Sequence, residues 1–256
     1  MSRTGVRRAG DVARTAVFTP VDTLARVDAV IRRLGDAIEL GLLADGEQLP
    51  GETDLANQLG VSTVTLREAL VALRQQGLVT TRRGRGGGSF VTVPEGPPAA
   101  RLTARLTAWS PEELRDLADH WAAIAGAAAR LAAVRTEPDD LAPLRRSAEE
   151  LAGTADPAAR SRLHGRFHVE LAAAAQSARL TREMVGFQTQ VGALLCLALA
   201  EEAHCQRVLG RLRALLAALA EGDAEAARAL AEHCVQDSMD PLIELRLRPQ
   251  AVAARR

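Results

Sequence analysis

The sequence predicts a mainly α chain, with an N-terminal winged helix-turn-helix followed by an all-α helical bundle. Three observations carry that expectation. Ala and Leu supply most of a hydrophobic fraction of 47%, aromatics are only 2%, and these two residues have the best helix propensities. Helix, turn, helix and a glycine-rich hairpin follow in that order between residues 24 and 93. Beyond Pro98 every periodic stretch repeats at three and four residues, and no strand signal occurs. A length of 256 residues suits two domains, one of about 70 residues and one of about 150.

Residues 1–22 lack apolar periodicity and read as a flexible basic arm. The winged domain is expected over 23–93. Its first helix carries Val27, Val30, Ile31, Leu34 and Ile38 and ends at Gly41. A second helix runs from Gly51 to Leu59 and is stopped by Gly60. Ser62 caps a third, with Leu66, Ala69, Leu70 and Leu73 as its apolar stripe and Gly77 as its stop. Two β-prone runs, 78–82 and 89–93, flank the loop Arg83-Gly84-Arg85-Gly86-Gly87-Gly88 and predict a hairpin. Prolines make 94–108 a linker to a helical domain at 109–248, with a tail at 249–256. In that domain Ser110-Pro111-Glu112-Glu113 is a capping box opening the first helix. Further helices are expected over about 139–151, 157–176 and 178–221 (broken near 201–204 or at Gly210), and from Asp223 to about Asp237.

Net charge is zero, but it is unevenly spread. From Ser62 to Val93 the charges are Arg67, Arg74, Arg82, Arg83 and Arg85 against the single acid Glu68, a local footprint for double-stranded DNA. With the third helix's apolar stripe turned inward, its outward face shows Val64, Arg67, Glu68, Val71 and Gln75. Val64 is suited to a thymine methyl and Arg67 to a guanine edge or a phosphate. Ser62 and Thr65 sit where helix N–H groups attract phosphate. Arg82, Arg83 and Arg85 suit backbone or minor groove, and Gly86 and Gly87 allow close approach. Three cysteines without CxxC spacing read as reduced. The N-terminus has no secretory apolar region, and the longest apolar run is too short to span a bilayer. A cytoplasmic bacterial protein without membrane contact is the expectation.

Residues 31–91 resemble the GntR family of bacterial regulators: Gly46-Glu47-Gln48-Leu49-Pro50, Leu59-Gly60-Val61-Ser62, Leu66-Arg67-Glu68-Ala69-Leu70, Gly77-Leu78-Val79 and Gly84-Arg85-Gly86-Gly87-Gly88-Ser89-Phe90-Val91. The resemblance implies a homodimer on an inverted-repeat operator, with the third helix in the major groove and the wing tip in the minor groove. Thr53 and Thr63 stand where the family commonly has arginines that contact DNA, so the usual operator is not implied.

The second half resembles the FadR-like subfamily with its helical effector-binding FCD domain, through Phe167-His168 and Gly222-Asp223-Ala224-Glu225-Ala226-Ala227-Arg228 followed by His233. Many such domains hold a divalent metal, which in turn binds the effector's carboxylate. The resemblance places His164 and His168 on an Asp-x-x-x-His pair, with His164 at the Asp position, and His233 on the last ligand. One Zn-like ion on His164, His168 and His233 is therefore an expectation, because residues four apart share a helix face. So is an organic-acid effector held by His164, His168, His233, Arg130 and Arg211. The function expected is a ligand-responsive repressor of a metabolic operon. A constitutive, ligand-blind regulator with a degenerate pocket is the alternative. A metal-dependent enzyme is remote, since Gly165 stands where a zinc peptidase needs Glu.

Overall fold

A computed structural model describes residues 23–84, 86–94, 96 and 98–248. The arm 1–22, the tail 249–256 and Arg85 lie outside the described residues. Two units separate. One runs up to Gly35 and takes up again over Gln48–Val91; the other comprises Asp36–Glu47 and the chain from Thr92 on.

The smaller unit is built from most of α1 (Thr23–Glu39), α2 (Glu52–Leu59), α3 (Thr63–Gln75), β1 (Val79–Arg82) and β2 (Gly88–Val91). Gly60 ends α2 in the left-handed region at φ 68°, the conformation glycine reaches without steric cost. Ser62 then caps α3, its Oγ accepting from Thr65 N at 3.1 Å. Leu66, Ala69, Leu70 and Leu73 are buried, as the stripe requires, and so are Leu55, Leu78, Val79 and Phe90 of the same unit. The two strands pair antiparallel with Val79 opposite Val91 and Arg82 opposite Gly88.

The larger unit is helical. After α4 (Ala99–Thr107) come α5 (Pro111–Arg135), a 3-10 turn, α6 (Ala142–Gly153), α7 (Pro157–Ala174) and α8 (Ala178–Val191). A second 3-10 turn and the short α9 (Cys196–Leu199) lead to α10 (Glu202–Glu221) and α11 (Ala224–Leu247). Both halves of the capping box at Ser110 and Glu113 are made. Helices α5 and α11 pack along one another, which small buried residues permit: Ala125, Ala128, Ala129 and Ala132 on one, Ala227 and Ala231 on the other. No described helix is long and apolar enough to cross a membrane.

The structure departs from the expected layout in three places. The stretch read as a linker, 94–108, holds α4, because Leu102 and Leu106 bury fully in the helical core. The segment Asp36–Glu47 groups with the helical unit, where Leu40 joins the core and Val93 N donates to Asp45 Oδ1 at 2.8 Å. Helix α11 continues past Asp237 and through Pro241. Proline forfeits a backbone hydrogen bond there, and burial of Leu242 and Ile243 offsets the loss.

Candidate functional site

On α3 the outward face is as expected. Val64 is 60% and Val71 46% exposed, and Arg67, Glu68 and Gln75 are also open to solvent. Thr53 is exposed one residue into α2, Ser62 is exposed at the start of α3, and Thr63 is half-buried beside it. Arg67 does not stand free: its Nε donates to Glu52 Oε2 at 2.6 Å, which leaves the two Nη groups unengaged by that carboxylate. Thr65 is buried rather than exposed. Only 4% exposed, its hydroxyl lies 2.9 Å from Ser62 Oγ and its N–H is already given to that oxygen, so it completes the helix cap.

The wing glycines are demanded by the hairpin itself. A Cβ on Gly87 would lie 2.5 Å from Arg82 O and 2.8 Å from Gly84 O, and Gly84 and Gly86 sit at φ 99° and 80°. Gln48 Nε2 donates to Gly87 O at 3.0 Å and braces the turn, a role the sequence reading missed. Arg83 and Arg82 are exposed, and the Arg82 guanidinium lies 4.3 Å over the Phe90 ring.

The helical unit carries a different cluster. His164 and His168, one turn apart on α7, are fully buried with ring centroids 4.7 Å apart. Trp121 of α5 stands T-shaped to both rings, and its own N–H points at Met184 Sδ, 3.2 Å away. His204 of α10, Gln188 of α8 and Ser238 of α11 are also buried. Among the described residues, six of their side-chain atoms lack a hydrogen-bond partner: His164 Nδ1, both ring nitrogens of His168, His204 Nε2, and both amide atoms of Gln188. Each such atom costs about 1–3 kcal/mol in desolvation.

The hydrogen bonds that are made fix two of the imidazole tautomers. Ser238 Oγ donates its one hydrogen to Cys234 O at 2.7 Å and so accepts from His164 Nε2 at 3.0 Å. His164 therefore keeps a bare lone pair on Nδ1. Arg207 can only donate, so the 3.2 Å contact to His204 Nδ1 makes that nitrogen an acceptor and puts the hydrogen on Nε2. Burial, then the neighbouring His204, hold His164 down to a pKa of about 4. Burial, then His164, keep His168 well below the usual imidazole range. These rings are neutral at physiological pH.

With this geometry in place, the comparisons decide the lineage. Residues 26–88 match the family described as "Bacterial regulatory proteins, gntR family", and residues 99–237 match the FCD domain. A protein provisionally named HTH-type transcriptional regulator RmpR, from Mycobacterium gastri, is 35% identical over 91% of this chain and 86% of its own length. The chain belongs to the GntR family. A provisionally named L-lactate dehydrogenase operon regulatory protein of Escherichia coli is 34% identical over 62% of each chain. The solved structure of E. coli McbR/YncC, 20% identical, shares the fold with a TM-score of 0.51 over 88% of this chain and 98% of that one. This GntR-family chain is a DNA-binding transcriptional regulator with an FCD domain, and its family and relatives are regulators, not enzymes.

The metal set implied by the family resemblance does not assemble in this GntR-family chain. His233 is exposed on the outer side of α11, its Nδ1 donating to Ala229 O at 2.6 Å. The reason is register: the buried positions of α11 are Ala227, Ala231, Cys234, Val235, Ser238, Met239, Leu242 and Ile243, and 233 falls off that stripe. His204 stands in its place, on the α10 stripe with Val208, Leu212 and Leu215, but the buried nitrogen carries a hydrogen rather than a lone pair. Among the described residues no three His, Cys, Asp or Glu side chains are gathered to hold an ion. The arginines expected at the effector are both ion-paired. Arg130 pairs with Glu225 at 3.1 Å and is largely exposed, and Arg211 pairs with Asp237 at 3.0 Å. Gln188 and Ser238 escaped the sequence reading, and His204, about two turns before the position the resemblance implies, would need a different helix register from the expected one. The signal available was their place on the apolar stripes of their own helices.

Proposed function

We propose that this regulator is a ligand-responsive repressor of a metabolic operon, binding an inverted-repeat operator as a homodimer and releasing it when a small molecule occupies the FCD bundle. The observation that carries ligand response is the group of six buried polar atoms without partners on His164, His168, His204 and Gln188. A bundle evolved only for stability fills such positions with apolar side chains, since an unpaired buried polar group weakens the fold. A site that exchanges those missing partners for a ligand's own groups accounts for them. Regulation of a metabolic operon is supported by the E. coli relative, whose name attaches it to an L-lactate dehydrogenase operon. Dimerisation is supported by the family, since two-fold protein symmetry matches a palindromic site.

The test begins with DNA selected from a random pool by the purified protein, which should converge on an inverted repeat. Ultracentrifugation with that duplex should show two chains per site. Metabolites that raise the thermal midpoint, because they bind only the native state, should then displace the duplex. Selection of a single half-site, or thermal stabilisers that leave DNA binding untouched, would refute the respective parts.

A further inference from the structure

The unpartnered atoms of the bundle can be sorted by what each one offers. His164 Nδ1 presents a lone pair and His204 Nε2 an N–H, as their tautomers require. Neutral His168 presents one donor and one acceptor, and Gln188 presents a carbonyl oxygen and an NH2 group. Donors and acceptors are balanced, and none of these groups carries a charge. The buried cation of this unit, Arg160, is already committed to Thr154 O, Leu199 O and Glu202.

That balance discriminates between ligands. A carboxylate only accepts, so it would leave His164 Nδ1 and Gln188 Oε1 facing lone pairs. A cation would face the N–H of His204 and the NH2 of Gln188. A group with a carbonyl beside an N–H or O–H satisfies both kinds, and an amide side chain is the natural partner for it because it pairs donor to acceptor and acceptor to donor. Gln188 is 1% exposed and packs closely on residue 165, the glycine between the two histidines of α7. A Cβ there would lie 3.0 Å from Gln188 Oε1.

We infer that Gln188 is the specificity-determining residue of this site, and that its ligand is an uncharged molecule presenting a carbonyl next to an N–H or O–H, as an amide, lactam or hydroxy-carbonyl compound does. The inference rests on the cluster being the effector site. It departs from the organic acid that the family resemblance implies.

The test uses the full chain, wild type and Gln188→Met, with propionamide, propionate and zinc chloride as probes. Without ligand, Gln188→Met should melt at least about 4 °C higher than wild type, because an apolar side chain of similar size removes two unpaired polar atoms. Propionamide at about 100 mM should raise the wild-type midpoint and leave Gln188→Met unmoved, while propionate and zinc move neither. Gly165→Ala, which presses a methyl onto the amide oxygen, should fold and lose the propionamide shift. A lower or equal midpoint for Gln188→Met, failure to fold included, shows an amide already satisfied by the fold and overturns the role of Gln188. Stabilisation of the wild type by propionate or zinc, or none by propionamide, overturns the ligand class. If no probe shifts the wild type and Gln188→Met is no more stable, the effector site itself falls.

Discussion

Arg67→Ala separates base reading from phosphate clamping. The side chain is 66% exposed and its partner Glu52 44%, so the pair adds at most about 1 kcal/mol to folding, less after solvent screening. The variant should therefore keep the wild-type melting profile. At the operator more is at stake. With Nε given to Glu52, the two Nη groups remain to bridge guanine O6 and N7, a bidentate contact that discriminates by about 1–3 kcal/mol. That corresponds to roughly 5- to 150-fold in affinity per half-site, at 1.4 kcal/mol for each factor of ten. Fluorescence anisotropy on the selected operator and on a scrambled duplex, each at two salt concentrations, reads this out. The operator should lose that factor and the scrambled duplex much less. Equal loss on both, with the salt slope smaller by about one, makes Arg67 a phosphate contact. No loss on either removes α3 from the interface. Glu52→Ala provides the cross-check. It should weaken the operator through loss of the bracing carboxylate, and strengthen the scrambled duplex, because an acid beside phosphates is gone.

Three further outcomes follow from the geometry. Ser62→Ala removes the cap on α3, whose Oγ also meets Thr65 Oγ1, and should cost about 1 kcal/mol, a midpoint fall of roughly 4–8 °C if the small domain melts on its own in calorimetry. Gly87→Ala would set a methyl against backbone oxygens that cannot move away, so the wing should distort and operator affinity fall while the helical content by circular dichroism stays. Acid should destabilise the bundle. The His164 pKa is about 4 when folded and about 6.5 when unfolded, so between those values the unfolded chain binds the extra proton. Stability is therefore full above about pH 6.5 and declines as pH falls toward 4, by about 3 kcal/mol for this one group. Urea titrations at pH 7 and pH 5 should show the loss, and His164→Asn should flatten it; an unchanged slope would assign the acid sensitivity to other groups.

Local chemistry made the winged unit legible from its residues. Ser62, Gly60, Gly77 and the glycine loop each specify a backbone conformation within a few positions, and Leu66, Ala69, Leu70 and Leu73 specify the inward face. The capping box at Ser110 and Glu113 opened the bundle for the same reason. What the tertiary structure alone decided is which long-range groups meet. Glu52 reaches Arg67 across fifteen residues and Gln48 reaches Gly87 across thirty-nine, and no periodicity announces either. The continuation of α11 through Pro241 came from burial of Leu242 and Ile243, which outweighed the local preference to stop. The buried cluster is the clearest case. His233 and His204 are equally plausible as isolated letters, but the rotational register of α10 and α11 against α7 turns one outward and the other in. That register is set by summed apolar burial along each helix, a quantity that exists only once the helices are packed.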